Sequence, residues 1–442
     1  MWGSGTLAGR WAMILTMSGF VAACAGGPRP SSVTPAEIPS LQAQAAQQPT
    51  NAQIHFRLAA ALAAANRCDT AVVVAAAGQV LAPIDALGPM VIGKCQEQDG
   101  RPDLAYATYT DFARSHPDAR GIAGVRALAQ IALRTQATQT AKLALAREST
   151  LTTLAPEPST IAVLPMTIAG DSSLQPLSRG LADLLTTDLA LVRNLRLLER
   201  VQIGTLLDEL QLSSSGRADP ATAARVGRLL RAERMVQGVA VITENGPVRM
   251  SATVVRGDGD VRAGAQANGT FKQLLDLEKQ LVFSIAGQLG IQLTEAERQR
   301  ILRQGPKNLA AFLAYSEGLD ALDQGNYQAA AAAFGAAAQA DPSFQQAKDQ
   351  QQAAAAVPAV QTAGGMGDIV TVVAAVEQVT APTEPASIGA LNQGTLDVSG
   401  TIGDITGPTG INTILSNPTP ESQGISSVVQ ASGILRIIFR KP

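Results

Sequence analysis

The side chains able to carry chemistry are few. The two histidines, His55 and His116, lie in stretches of helical periodicity, and His116 directly precedes Pro117. Neither has a cysteine, carboxylate or second imidazole at the spacing of a metal site or a catalytic triad, so each reads as an exposed surface residue. Asp208 and Glu209 are neighbours on a helix, where successive side chains diverge by about 100°, which separates their carboxylates. Gly364-Gly365-Met366-Gly367 lacks both the lysine of a phosphate-binding loop and the strand-to-helix setting of a dinucleotide fingerprint; it reads as linker. Arg225, Arg228 and Arg231 recur on one helix face, either solvated or a patch for a partner or anionic lipid. Glu199-Arg200, where a strand runs into a helix, reads as a structural ion pair or cap. No catalytic residue, metal ligand or cofactor is assigned, and the chain is expected not to be an enzyme.

The three cysteines say more. Arg10 gives a positive flank, Trp11 to Phe20 is an apolar run too short to span a bilayer, and Val21-Ala22-Ala23 places small residues before Cys24. This resembles a bacterial lipobox. The resemblance implies a signal peptide at 1–23, a lipid on Cys24 and a mature chain that begins there; the alternative is a plain secretory signal in which Cys24 is incidental. Several acyl chains would anchor the protein stably. Ala25, where an inner-membrane retention signal places Asp, points to the periplasmic face of the outer membrane. Cys68 and Cys95 are then an even pair in an oxidising compartment, a disulfide or two buried thiols.

A chain of 442 residues is about three lengths of ~150 residues. Hydrophobic residues make up 46%, charged residues 16% and aromatics only 3%, so alanine and leucine must build most of the core, as in stacked helices. The net charge of -2 provides no basis for binding nucleic acid.

The elements follow in order. Residues 24–48, rich in glycine, proline, serine and glutamine, read as a tether. From 49 to 150 helices repeat: Ala71 and Pro83 recur 34 residues later as Ala105 and Pro117, with Gly100 five before Ala105 and Tyr109 four after it. Gly318, Gly325, Ala330, Phe334, Ala337 and Pro342 repeat the spacing within 305–350. Both stretches resemble the tetratricopeptide repeat, in which small residues let paired helices approach and proline ends the second helix. Asn66 and Ala75 make the first repeat degenerate, and generic alanine-rich hairpins are the alternative. The lone repeat at 305–350 must dock on the central domain to bury its apolar face.

That central domain, 158–304, opens with Ile161-Ala162-Val163-Leu164-Pro165 as a buried strand. A helix carrying Leu177, Leu181, Leu184, Leu185 and Leu189 follows, then a strand at Leu195 to Glu199 and helices around Leu206 and from Asp219-Pro220 to Ala232. Met235 to Thr243, Val248 to Val254 and Val261 to Asn268 read as short strands joined by tight turns at Asn245-Gly246 and Gly257-Asp258-Gly259. A closing helix runs through Leu274, Leu277, Leu281 and Ile285. This order, β-α-β-α-α-β-β-β-α, with Leu198-Glu199-Arg200 and Gln237-Gly238, resembles the CsgG family of curli secretion lipoproteins. The resemblance implies an outer-membrane component that assembles with secretion proteins or with itself. A pore of that kind needs inserted spanning strands of about 9 to 11 residues, and the tight turns leave no room for them. Without the pore, the domain is also similar to periplasmic lipoproteins that dock on envelope machines.

Residues 351–442 lose helical periodicity and read as a low-complexity tail, with a strand at Asp368 to Val376 and another at Gly433 to Arg440 guarded by arginines. The expected fold is therefore a multi-domain α+β protein: tetratricopeptide-like repeats, a mixed-sheet CsgG-like domain, one further repeat and a β-tending tail. The expected role is a non-catalytic docking or assembly factor for envelope or secretion proteins, with a groove for peptides in the repeats; the alternative is an oligomeric curli-like secretion channel component.

Overall fold

The computed structural model describes residues 31–211, 219–243, 246–363 and 365–380. The helical part comprises α1 (Ile38–Gln47), α2 (Ala52–Ala64), α3 (Cys68–Leu81), α4 (Leu87–Gln98), α5 (Pro102–Ser115), α6 (Ile122–Ala146) and the short α7 (Glu148–Leu151). Ala71, Ala75 and Ala105 are fully buried between paired helices. Gly100 and Gly325 turn the chain with φ of +73° and +75°, and Asn66 does the same at +58°. Asparagine tolerates this left-handed conformation, so the position that looked degenerate performs the turn. Pro83, Pro117 and Pro342 each follow the end of a helix. Cys68 and Cys95 are joined as a disulfide, with Cα atoms 5.4 Å apart, clasping the start of α3 to α4.

Three expectations fail at the edges of this part. The tether to residue 48 is mostly folded: Thr34 and Glu37 form a capping box, with the Thr34 N–H donating to Glu37 Oε1 at 2.8 Å, and Val33, Ile38 and Leu41 are buried in the helical core. The tail, too, begins as helix, with α15 (Gln345–Thr362) and α16 (Ile369–Thr380). Asp368 to Val376 is not a strand. Its Ile369, Val372 and Val376 also stand three and four residues apart, and they bury that helical stripe against the repeats, so packing overrides the β-propensity of the valines. Gly367 is no linker either; its carbonyl accepts from the Val33 N–H at 3.1 Å, an approach that a Cβ at 367 would block. The Cys24 region and the expected strand at Gly433 to Arg440 lie outside the described residues.

The central sheet is built from β1 (Glu157–Val163), β2 (Thr167–Gly170), β3 (Arg196–Leu197), β4 (Ala232–Ile242), β5 (Pro247–Arg256) and β6 (Val261–Thr270). Its order is β3-β1-β4-β5-β6, with β2 also on β4. Pairing is parallel among β1, β3 and β4, and antiparallel from β4 to β6. Pro165 does not end the sheet. It interrupts the ladder, and β2 resumes along β4 at Val239 to Ile242 beyond the β1 pairing at Met235 and Val236. The strand expected at Leu195 to Glu199 is pared to two residues, whereas β4, β5 and β6 run 11, 10 and 10 residues, longer than their apolar runs. One sheet face packs on α8 (Leu177–Leu189) and α11 (Leu274–Gln288). The other packs on α9 (Arg200–Glu209), α10 (Pro220–Leu230) and the end of α6, through Ala141 and Ala144.

After α12 (Glu295–Arg303) come α13 (Leu309–Asp323) and α14 (Tyr327–Ala340). Phe334 sits so close over Gly318 that a Cβ there would lie 2.4 Å from the ring. The pair docks on the central domain as its exposed apolar face requires: α13 lies on α8, with Phe312 in the sheet core. Helix α15 then bridges α14 and α6, and α16 covers α2, α4 and α6. These are the first helices of successive pairs, the face on which stacked hairpins would offer a groove; here the chain's own α16 occupies it. No helix among the described residues is long and apolar enough to cross a membrane.

Candidate functional site

Where the helical repeats, the central domain and α13 to α15 meet, buried charge is concentrated. The short β3 delivers Arg200 to the first position of α9, with its side chain only 10% exposed. Its guanidinium reaches Asp323 Oδ2 at 2.6 Å and Asp183 Oδ1 at 3.6 Å. One turn earlier on α8, Arg179 binds Asp320 at 2.6 Å and Asp323 at 2.7 Å. Asp183 accepts from the Tyr315 hydroxyl at 3.0 Å and from Gln346 Nε2 at 3.1 Å. From α6, Arg134 Nη2 donates to the Leu322 carbonyl at 2.6 Å, neutralising the negative end of α13. Burial drives the Asp183 carboxyl above its usual range against the pull of Arg200. At Asp323 burial also pushes upward, but Arg200 and Arg179 together outweigh it and hold the carboxyl below its usual range. Arg200 and Arg179 thus favour the charged form of Asp323 while burial works against charge on Asp183, and the side chains are engaged with one another as a junction between elements.

Above this junction opens a cleft of about 450 Å³. Its mouth carries Tyr106, whose hydroxyl donates to Glu199 Oε1 at 3.0 Å, and Arg126, paired with Asp349 at 3.1 Å. Gln130 Nε2 donates to Gln350 Oε1 at 2.6 Å, while the Gln130 Oε1 is buried without a partner. Leu133, Leu319 and Leu322 supply apolar wall. Amides and guanidinium groups beside leucines suit the backbone and side chains of a polypeptide segment. The chemistry available is hydrogen bonding and charge pairing; among the described residues no cluster of His, Cys, Asp and Glu could hold a metal ion.

The residues singled out in the sequence end up scattered. His55 is half-buried with Nε2 2.9 Å from the Pro49 carbonyl, and His116 is half-buried against Phe112, ring centroids 4.9 Å apart; neither is freely exposed. The arginine row is used within the chain: Arg225 grips Glu148 at 2.7 and 2.9 Å, Arg228 donates to the Gly257 carbonyl at 2.7 Å, and Arg231 lies 3.5 Å from Glu157. Glu199 and Arg200, read as an ion pair or cap, are neither paired with each other nor a cap: Glu199 accepts from Tyr106 and makes no capping bond to α9, and Arg200 pairs with Asp323. Arg179, Asp183, Asp320 and Asp323 were not read from the sequence; the i,i+4 pair on α8 and the i,i+3 pair on α13 were the available signals. A second omission is Glu278, fully buried beside the buried Asp188. Burial pushes Glu278 up to about 8 and Asp188 to about 6, with Lys279 3.3 Å from Glu278. Glu278 falls between Leu274 and Leu281 on the apolar stripe, which is how it could have been found.

Fold and junction together define a class: an α+β protein whose mixed sheet is clasped by helical hairpins and tied to them by buried ion pairs. Within it, residues 135–257 match the family described as the curli production assembly/transport component CsgG. The likeness anticipated for the central domain is present, over a stretch that starts within α6 and ends at the β5–β6 turn, and it includes Arg179, Asp183 and Arg200. Among solved structures, the C-terminal domain of LpoB from Salmonella enterica is similar at 14% identity, covering 28% of this chain and 92% of that one with a TM-score of 0.22. Comparison with curated proteins returns no match.

Proposed function

We propose that this chain is a non-catalytic docking and assembly factor for an envelope or secretion machine, held by a lipid on Cys24 at the periplasmic face of the outer membrane. The observation that carries this reading is the cleft: walls from α5, α6, α9, α13 and α15, lined by amides, guanidinium groups and leucines, above a junction whose charges are already paired. It replaces the groove expected in the repeats, whose corresponding face is covered by α16. The occupant is a polypeptide segment of an envelope partner, and the CsgG match of residues 135–257 supports a partner from a curli-type assembly or transport system. A photocrosslinking residue at Gln350, in cells, should trap an envelope protein, and Arg126→Glu should abolish the adduct. A detergent-extracted monomer that traps nothing from position 350 would overturn the reading.

The second reading, an oligomeric channel component, draws on the same family match and on strands of 10 and 11 residues, long enough to span a bilayer. Against it stands the packing of those strands: Met250, Ala252 and Val254 of β5 are buried under α8 and α11, and a spanning hairpin would have to strip that core. Ring-shaped particles with conductance in planar bilayers would decide for it.

A further inference from the structure

Helix α3 is apolar on two faces. Ala71, Ala75 and Gly78 pack inward, while Val73, Val80 and Ile84 on the outer face and in the following turn are 68%, 80% and 66% exposed, with Leu81 at 41%. No charged residue occurs between Thr70 and Ile84. A helix that is apolar all round belongs where both faces are covered, and a contiguous exposed apolar stripe marks a contact surface.

Two features identify what covers it. The chain is pinned from Val33, whose side chain is 3% exposed and whose N–H binds Gly367, so only residues 24 to 32 separate a lipid on Cys24 from the folded body. That is at most about 30 Å of extended chain. The turn Pro35–Glu37 that follows Val33 packs on α2, and α2 packs on α3, one interhelical spacing of about 8–10 Å away, so the bilayer lies within reach of this part of the molecule. The stripe is also narrow, three side chains along about 12 Å of helix and Ile84 in the turn after it, far short of the roughly 20–30 residues a side of a stable protein interface. Without cations it could bind lipid only weakly by itself, but a nearby anchor raises the local lipid concentration and makes a weak contact persistent.

We propose that Val73, Val80, Leu81 and Ile84 form a membrane-contact surface that lays α3 in the interface of the bilayer beside the Cys24 lipid. The proposal uses the lipidation in the proposed function only as the source of proximity. Apolar burial alone drives the contact, so it should be indifferent to anionic lipid and to salt.

Both tryptophans, Trp2 and Trp11, fall in the signal peptide, so Val80→Trp becomes the sole tryptophan of the mature chain. On phosphatidylcholine vesicles the lipidated variant should show blue-shifted emission and quenching by brominated lipid, unchanged by 0.5 M salt on the order of a threefold excess over physiological strength. Asp111→Trp, on the charged outer face of α5, should stay red-shifted and unquenched. The same readout on a chain starting at residue 24 and held to nickel-chelating vesicles by an N-terminal hexahistidine tag separates the two readings. A shift there, with no acyl mass on Cys24 of the native protein, would remove the lipidation and keep the contact. Unshifted, unquenched emission from position 80 on either vesicle would overturn the contact, as would a concentration-dependent blue shift without vesicles, which assigns the stripe to a second copy.

Discussion

Arg200 bridges two aspartates that come from different parts of the chain, and its removal leaves both buried without their shared cation. Arg200→Met should therefore destabilise the protein by about 3–5 kcal/mol, seen as a lower urea midpoint, and Arg200→Lys should recover only part of the loss because one ammonium cannot fork between Asp183 and Asp323. Glu278 makes a different prediction. An unfolded glutamate ionises near 4.5, whereas burial holds Glu278 protonated to about 8. Between those values the folded chain keeps a proton that the unfolded chain has lost, so stability must fall as pH rises from about 5 to 8. The melting temperature of the native protein should drop across that window, and Glu278→Gln should flatten the drop; an unchanged pH profile in the variant would show that Glu278 is ionised in the fold. Of these residues the sequence singled out only Glu199-Arg200, and read them as an ion pair or cap of their own. The partner of Arg200 lies 123 positions away, and no local spacing encodes a contact made by docking.

At the level of elements, local pattern carried further. Ala71 and Ala105, 34 residues apart, are both buried, and Pro83 and Pro117 both follow the end of a helix; the order of the central domain was legible because its apolar periods change from helical to alternating. What escaped were elements decided by their neighbours: β2, which exists because β4 extends past β1, and α16, which is helical because the repeats offer its valines a surface. Two predictions belong here. Gly318→Leu must displace Phe334 from the α13–α14 seam and should cost at least about 1–3 kcal/mol; calorimetry should record it as a lower melting temperature. Cys68→Ser with Cys95→Ser opens a loop closed across 27 positions, which should lower stability by about 2–4 kcal/mol under oxidising conditions and leave the pair of serines insensitive to added reductant.

At the scale of the whole molecule, the chain closes on itself twice: α15 and α16 return to the repeats, and α13 sits on α8 with the ion network between them. The two closures differ in kind. The junction at Arg200 joins charges whose separation would strand them in a low-dielectric interior, so it opens only with global unfolding. Helix α16 is held by the apolar side chains of Ile369, Val370, Val372 and Val376 and by the exposed pairing of Arg120 with Glu377, so its opening strands no buried charge and gives up an ion pair that water replaces at modest cost. It should behave as a separate, weaker unit of opening. Val376→Asp is then expected to raise amide exchange across 369–380 by roughly tenfold or more, about 1.4 kcal/mol or greater, while amides of β4 and β5 keep their protection. If exchange in the sheet rises in step with α16, the repeats and the central domain unfold as one cooperative body, and the covered face of α2, α4 and α6 becomes accessible only when the cleft is lost as well.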